Sequence, residues 1–213
     1  MSPRMLAGAA APRGFTLIEL MVTLALVAVM MVLAAPNFIA FQRNSELTTT
    51  ANSFLSTLAA ARAEAMKRQL RTFVIPLTPG DWTSGWVAFV DVNNNVSATV
   101  LSSLTASVLS SDSTSYIILS QVQGLPPSVA IDAPADSTSF VHGSVKYAMF
   151  NGTGFMSLIG GGFPSGGAES LDFTNGTGQT RRVLASVAGR VRVCKPGTSS
   201  APGDPGCSVS AGF

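Results

Sequence analysis

Charge is scarce in this 213-residue chain: Lys and Arg number 13, Asp and Glu 11, together 11% of residues, well under the roughly 25% of an ordinary soluble domain. One histidine, His142, and two cysteines, Cys194 and Cys207, complete the reactive side chains. Two thiols in the tail and one remote imidazole lack metal-ligand spacing, so no metal site is expected. Ser144 lies near His142, but no nucleophile elbow surrounds it. No carboxylate pair stands in a glycosidase or protease setting. The glycine cluster Gly160 to Gly167 has no P-loop lysine and no strand-to-helix context. Asp91-Val92-Asn93-Asn94-Asn95 opens like a calcium loop, but Val96 and Ser102 stand where that loop needs glycine and a bidentate Glu. A hairpin turn of asparagines is the expectation there. These absences argue against an enzyme and against any cofactor.

What the chain does have is a long apolar run. From Phe15 to Ala35 the only polar side chains are Thr16, Glu19 and Thr23. A helix of about 20 residues rises roughly 30 Å, the hydrocarbon thickness of a bilayer. Glu19 is out of place in a plain anchor, because a carboxylate at membrane depth is costly unless it has a counter-charge. The preceding residues offer one. Met1 to Gly14 contains Arg4 and Arg13 and no acid. A secretory signal is cut after its apolar run. Here the small residue, Gly14, precedes the run. Cutting after it would keep the helix and create an ammonium on Phe15, one helical turn from Glu19.

Gly14-Phe15-Thr16-Leu17-Ile18-Glu19-Leu20 resembles the prepilin signature of the type IV pilin class, without a departure. That resemblance implies cleavage after Gly14 by a dedicated membrane peptidase, N-methylation of Phe15, and Glu19 as the residue that guides assembly with other pilins. Arg62-Ala63-Glu64-Ala65, Gly85-Trp86-Val87-Ala88-Phe89-Val90-Asp91, Phe150-Asn151-Gly152 with Gly154, and Gly189-Arg190-Val191-Arg192 are similar to the FimT/GspH branch of minor pilins and pseudopilins. The branch implies an N-terminal helix followed by packed antiparallel sheets. Arginines in the leader place the N-terminus in the cytoplasm. The expected location is therefore the bacterial inner membrane, spanned by residues 15–35, with the domain in the periplasm. A Cys194–Cys207 disulfide is expected in that oxidising compartment, worth on the order of 3 kcal/mol in loop-closure entropy.

Pattern alone leads to a compatible α+β fold. Residues 1–14 read as a leader, 15–35 as a transmembrane helix, 36–71 as an amphipathic helix and 72–213 as a β-rich domain with a clipped tail. Pro36 marks an expected bend. Leu47, Ala51, Phe54, Leu58, Ala61 and Ala65 step by three and four, an apolar stripe for the domain to pack on. Strands are expected at Thr72–Ile75, Trp86–Val90, Tyr116–Val122, Val129–Ile131, Val145–Phe150, Ser170–Phe173, Arg181–Ser186 and Arg190–Cys194. The Ser/Thr-rich stretch Ser97 to Ser115 reads as a mobile loop or a weak hairpin.

Charge is also segregated. Residues 72–145 carry five aspartates and no cation, whereas residues 146–213 carry a net charge of +3. An anionic partner should prefer the C-terminal third. Strand alternation would set Arg190 and Arg192 on one face about 6.7 Å apart, suited to bidentate phosphate contacts. Lys195, with Arg181 or Arg182, could extend the patch. By resemblance to FimT proteins of transformable bacteria, Gly189, Arg190 and Arg192 imply binding of double-stranded DNA without sequence specificity. Two other readings stay open. One is a type II secretion pseudopilin at a pseudopilus tip, acting on protein without DNA. The other is a periplasmic binding or enzymatic domain on an uncleaved anchor.

Overall fold

The structure is a computed structural model that describes residues 14–132, 140–197, 203–204 and 207. Residues 1–13, which are all but the last of the expected leader, and most of those beyond Gly197 lie outside them. Contacts divide the chain into two units, residues 1–41 and 42–213. Helix α1 (Leu17–Arg68) starts in the first and ends in the second. In the first unit, Phe15 and most large apolar side chains from Leu17 to Val32 are exposed. Among the described residues, no single helix is long and apolar enough to cross a membrane. Leu17–Val32 and Asn37–Arg68 meet that test only as a pair.

The second unit is built on the apolar stripe. Leu47, Ala51, Phe54, Leu58, Ala61 and Ala65 are all 0% exposed, the burial that their three-and-four spacing dictates. α1 stops at Arg68 rather than Arg71. Gln69 takes a left-handed conformation at φ 57°, and Leu70 N–H donates to the Ala65 carbonyl at 3.3 Å, a Schellman-type end.

Two four-stranded antiparallel sheets follow. The first comprises β1 (Arg71–Thr78), β2 (Asp81–Asp91), β3 (Tyr116–Gln123) and β7 (Ala148–Phe150), in the order β3-β2-β1-β7. The second comprises β4 (Ala130–Asp132), β8 (Ala168–Thr174), β9 (Thr180–Ser186) and β10 (Val191–Cys194), in the order β10-β9-β8-β4. A two-stranded ribbon pairs β5 (Val141–His142) with β6 (Val145–Lys146). The expected single strand Val145–Phe150 is thus split. Tyr147 leaves the strands and donates its N–H to the Phe140 carbonyl at 2.9 Å. Both sheets meet the α1 stripe in one core, where Phe54 lies 5.0–5.9 Å from the rings of Trp82, Trp86, Phe140 and Phe173.

The stretch from Ser97 to Ser115 departs from expectation. It holds two short helices, α2 (Ala98–Leu101) and α3 (Ala106–Ser111). Ser97 caps the first by accepting Val100 N–H at 3.2 Å, and Leu101, Leu104 and Leu109 are buried against the far side of the first sheet. The asparagine run at residues 93–95 is accordingly a turn into α2, not a hairpin. Its buried organiser is Asp91, which accepts Asn95 and Val96 N–H and is ion-paired to Arg71 at 2.6 Å. A guanidinium supplies the positive charge that a calcium loop would take from its metal.

Cys194 and Cys207 are joined, with Cα atoms 5.8 Å apart. The link lies beside a buried ion pair in which Arg182 Nε and Nη2 grip Asp172 at 2.7 and 2.8 Å. Arg182 Nη1 donates to the Cys207 carbonyl at 3.2 Å. One guanidinium therefore ties β8, β9 and the tail together. Removing one member of a buried pair strands the other charge. Asp172→Ala should lower the free energy of urea unfolding by about 3–5 kcal/mol, with the tail released to proteolysis.

Candidate functional site

Two regions carry the residues singled out by sequence. At the N-terminus, Thr16 precedes the first helical residue, and its Oγ1 accepts Glu19 N–H at 3.3 Å. Leu20 N–H bonds to the Thr16 carbonyl at 3.2 Å. Thr16 to Glu19 has the spacing of a capping box, and a carboxylate in the first turn also suits the positive end of the helix dipole. Thr16 thus caps the start of α1 through the Glu19 backbone, with the Glu19 carboxylate standing in the first turn. The Thr-x-x-Glu spacing was available to find it.

The second region is the turn between β9 and β10. Ser186 N–H donates to the Arg190 carbonyl at 2.9 Å, and Gly189 N–H donates to the Ser186 carbonyl at 2.8 Å. Arg190 sits in this turn, one residue before the strand, and is exposed; Arg192 is half-buried within β10. Pairing sets Val191 opposite Ala185, Arg192 opposite Leu184 and Val193 opposite Val183. Val191 and Val193 pack on the main core, so alternation puts Arg192 on the other face of β10, with Arg190 in step; that face is partly covered, since Leu184 opposite Arg192 is 0% exposed and Arg192 Nε is buried. Lys195 has the other parity. Its backbone N–H is held by Asp204 Oδ2 at 2.7 Å, and it shares a shallow pocket of about 280 Å³ with Arg181, Val193 and Asp204. Arg182 is engaged by Asp172 and lies inside. The structure therefore brings Arg190 and Arg192 together, sets Lys195 with Arg181 on the opposite face, and withdraws Arg182.

Gly189 is buried, and its place is set by sterics. It sits at φ 75°, and a Cβ there would fall 2.1 Å from the Gly154 carbonyl oxygen and 2.6 Å from Arg62 Nε. Arg62 is the residue that sequence reasoning left unassigned. From α1 its Nε donates to the Gly154 carbonyl and its Nη2 to the Ala188 carbonyl, each at 3.0 Å. The two carbonyls are 92 and 126 residues away in the chain, so no local pattern announces the contact. Gly154 also takes a positive φ, of 83°, with the Met66 side chain lying against it. One planar fork thus bolts the turn that carries Arg190 to the helix.

His142 and the asparagine turn offer no alternative centre. The His142 ring packs 4.6 Å from the Tyr147 ring, and burial holds its pKa below the ordinary value. Among the described residues, no group of three His, Cys, Asp or Glu could hold a metal. The glycine contact makes a sharp prediction. Gly189→Ala should destabilise the domain by more than about 1 kcal/mol, since both the positive φ and the Gly154 oxygen oppose a methyl group. Thermal melting measures the loss, and Ala188→Gly in the same turn should be far milder.

The chain matches the pattern described as the prokaryotic N-terminal methylation motif over residues 10–35. It matches the family described as type II transport protein GspH over residues 50–203. No curated protein matches. Among solved structures, the type IV minor pilin FimU of Pseudomonas aeruginosa is similar at 18% identity and a TM-score of 0.48, covering 78% of this chain and 98% of FimU. The minor pseudopilin EpsH of the Vibrio cholerae type 2 secretion system is similar at 14% identity and a TM-score of 0.43, covering 72% of this chain and 99% of EpsH. Since the family pattern spans most of the sequence, the affiliation rests on it: the chain belongs to the GspH family of type II transport proteins and carries the prokaryotic N-terminal methylation motif ahead of that domain.

Proposed function

We propose that the subunit binds duplex DNA without sequence preference through Arg190 and Arg192, as part of a filament engaged in DNA uptake. The observation that carries this reading is that Arg190, exposed in a turn fixed to α1 by Arg62, and Arg192, half-buried in β10, fall on one face of that sheet edge. A turn held at both carbonyls loses little further freedom when a phosphate docks, which favours binding. Contact with about two to four phosphates gives weak affinity, so useful capture depends on several subunits acting together. The competing reading is a secretion-system subunit whose arginines only guard an edge. It draws support from β10 being the outer strand of its sheet, where charged side chains prevent edge-to-edge pairing.

Assembly follows from the N-terminal chemistry. In this proposal a membrane peptidase cuts after Gly14, Phe15 becomes the methylated N-terminus, and its ammonium neutralises Glu19 of the same or a neighbouring subunit. Residues 15–35 hold the subunit in the inner membrane, with the domain in the periplasm, until it enters the filament.

Two measurements test these proposals. Titrating labelled duplex with the full chain in lipid nanodiscs should give a plot of log K against log salt with a slope of about −2 to −4. Arg190→Ala/Arg192→Ala should weaken binding and flatten that slope by about 2; equal binding by both proteins removes the duplex site. Independently, mass spectrometry of membrane-extracted protein should find a polypeptide starting at N-methylated Phe15. Retention of the leader would sink the assembly scheme.

A further inference from the structure

Beside the basic turn lies an exposed apolar row that the assigned residues do not use. Among the described residues of 42–213, four large hydrophobic side chains stand out as exposed: Met66 at 40%, Val108 at 44%, Phe155 at 43% and Phe163 at 57%. Three of them adjoin. The Met66 side chain packs against Gly154, the residue before Phe155, and the Phe155 and Phe163 rings have centroids 6.3 Å apart, tilted by 53°. Phe155 alternates with Met156, which is buried in the core, so its ring is directed outward. The row also meets the arginine turn: Gly154 is in contact with Gly189 and shares the Arg62 fork with Ala188. Phe155 and Arg190 are therefore each one residue removed from the same contact.

We infer that Met66, Phe155 and Phe163 form a stacking surface for unpaired nucleotides, so that the site prefers single-stranded over duplex DNA. This rests on the DNA reading of Arg190 and Arg192. The partner's chemistry follows from what is juxtaposed. Exposed aromatic faces next to a cationic turn suit a polyanion that also presents flat apolar surfaces. A single strand does so, because its base faces are free to stack. A duplex hides those faces and offers the row nothing but its charged exterior. The only acid close by on α1, Glu64, is already paired with Arg68 at 2.5 Å and Lys67 at 3.5 Å, so it leaves the local field positive. The loop after Phe155 carries Gly160, Gly161 and Gly162, all at positive φ.

The test compares a labelled oligothymidylate and a labelled duplex on the full chain in neutral-lipid nanodiscs, using wild type, Phe155→Ser/Phe163→Ser and Arg190→Ala/Arg192→Ala. Both phenylalanines are exposed, and unchanged thermal melting will confirm that the serine variant is folded. The inference expects wild type to bind oligothymidylate more tightly than duplex. The serine variant should lose about tenfold in affinity for oligothymidylate with duplex binding unchanged, and the alanine variant should lose both. If the serine variant binds oligothymidylate as wild type does while the alanine variant loses both ligands, the stacking surface is wrong and the duplex site stands. If wild type binds neither, both fall. A serine variant that keeps oligothymidylate but fails to enter filaments marks the row as a subunit contact and overturns the inference.

Discussion

One face of α1 has to serve two sheets that share no strand, and the C-terminal domain depends on that constraint. Its first sheet ends at β7 and its second at β4, and among the described residues no ladder joins them. What holds them in one body is the stripe from Leu47 to Ala65, and above all Phe54, whose ring meets aromatic side chains contributed from both. Each such edge-to-face contact is worth about 0.5–1.5 kcal/mol beyond area burial, and Phe54 makes several. Trp86 adds a polar lock by donating its indole N–H to Thr57 Oγ1 at 3.1 Å. A helix used in this way cannot be exchanged for loop without separating the sheets.

The stripe was legible because helical spacing is a local property: six apolar residues at steps of three and four, all fully buried. The core of each long strand was legible for the same reason. What failed needed information from elsewhere in the chain. Val145 to Phe150 reads as one strand, yet Phe140 draws Tyr147 out and divides it between two sheets. Ser97 to Ser115 is polar enough to suggest a loop, but three leucines find a surface on the first sheet and fold it as helices.

Charged residues were legible by type and not by role. Arg181 and Arg182 are neighbours with the same composition signal, yet alternation puts Arg182 on the face of β9 away from the main core, where Asp172 and the Cys207 carbonyl bury it, and leaves Arg181 near Lys195. Arg62 looked like one more polar residue off the apolar face of α1. Its role is set by two carbonyls, of Gly154 and Ala188, that lie far from it in the chain. Gly189 was read as part of a binding motif, and the backbone gives it a different reason to be glycine: no side chain fits beside the Gly154 oxygen.

That steric reason changes how a Gly-Arg-x-Arg motif is to be understood. The glycine and the arginines answer to different demands, one to the packing of the turn on α1 and the others to what lies outside. A variant lacking the glycine would lose the turn's position even with both guanidiniums present. Because Arg62 reaches the turn from the helix whose apolar stripe is fully buried, Arg190 is supported by the best-packed part of the domain. A site with few phosphate contacts gains most from such support, since it has little binding free energy to spend on ordering itself.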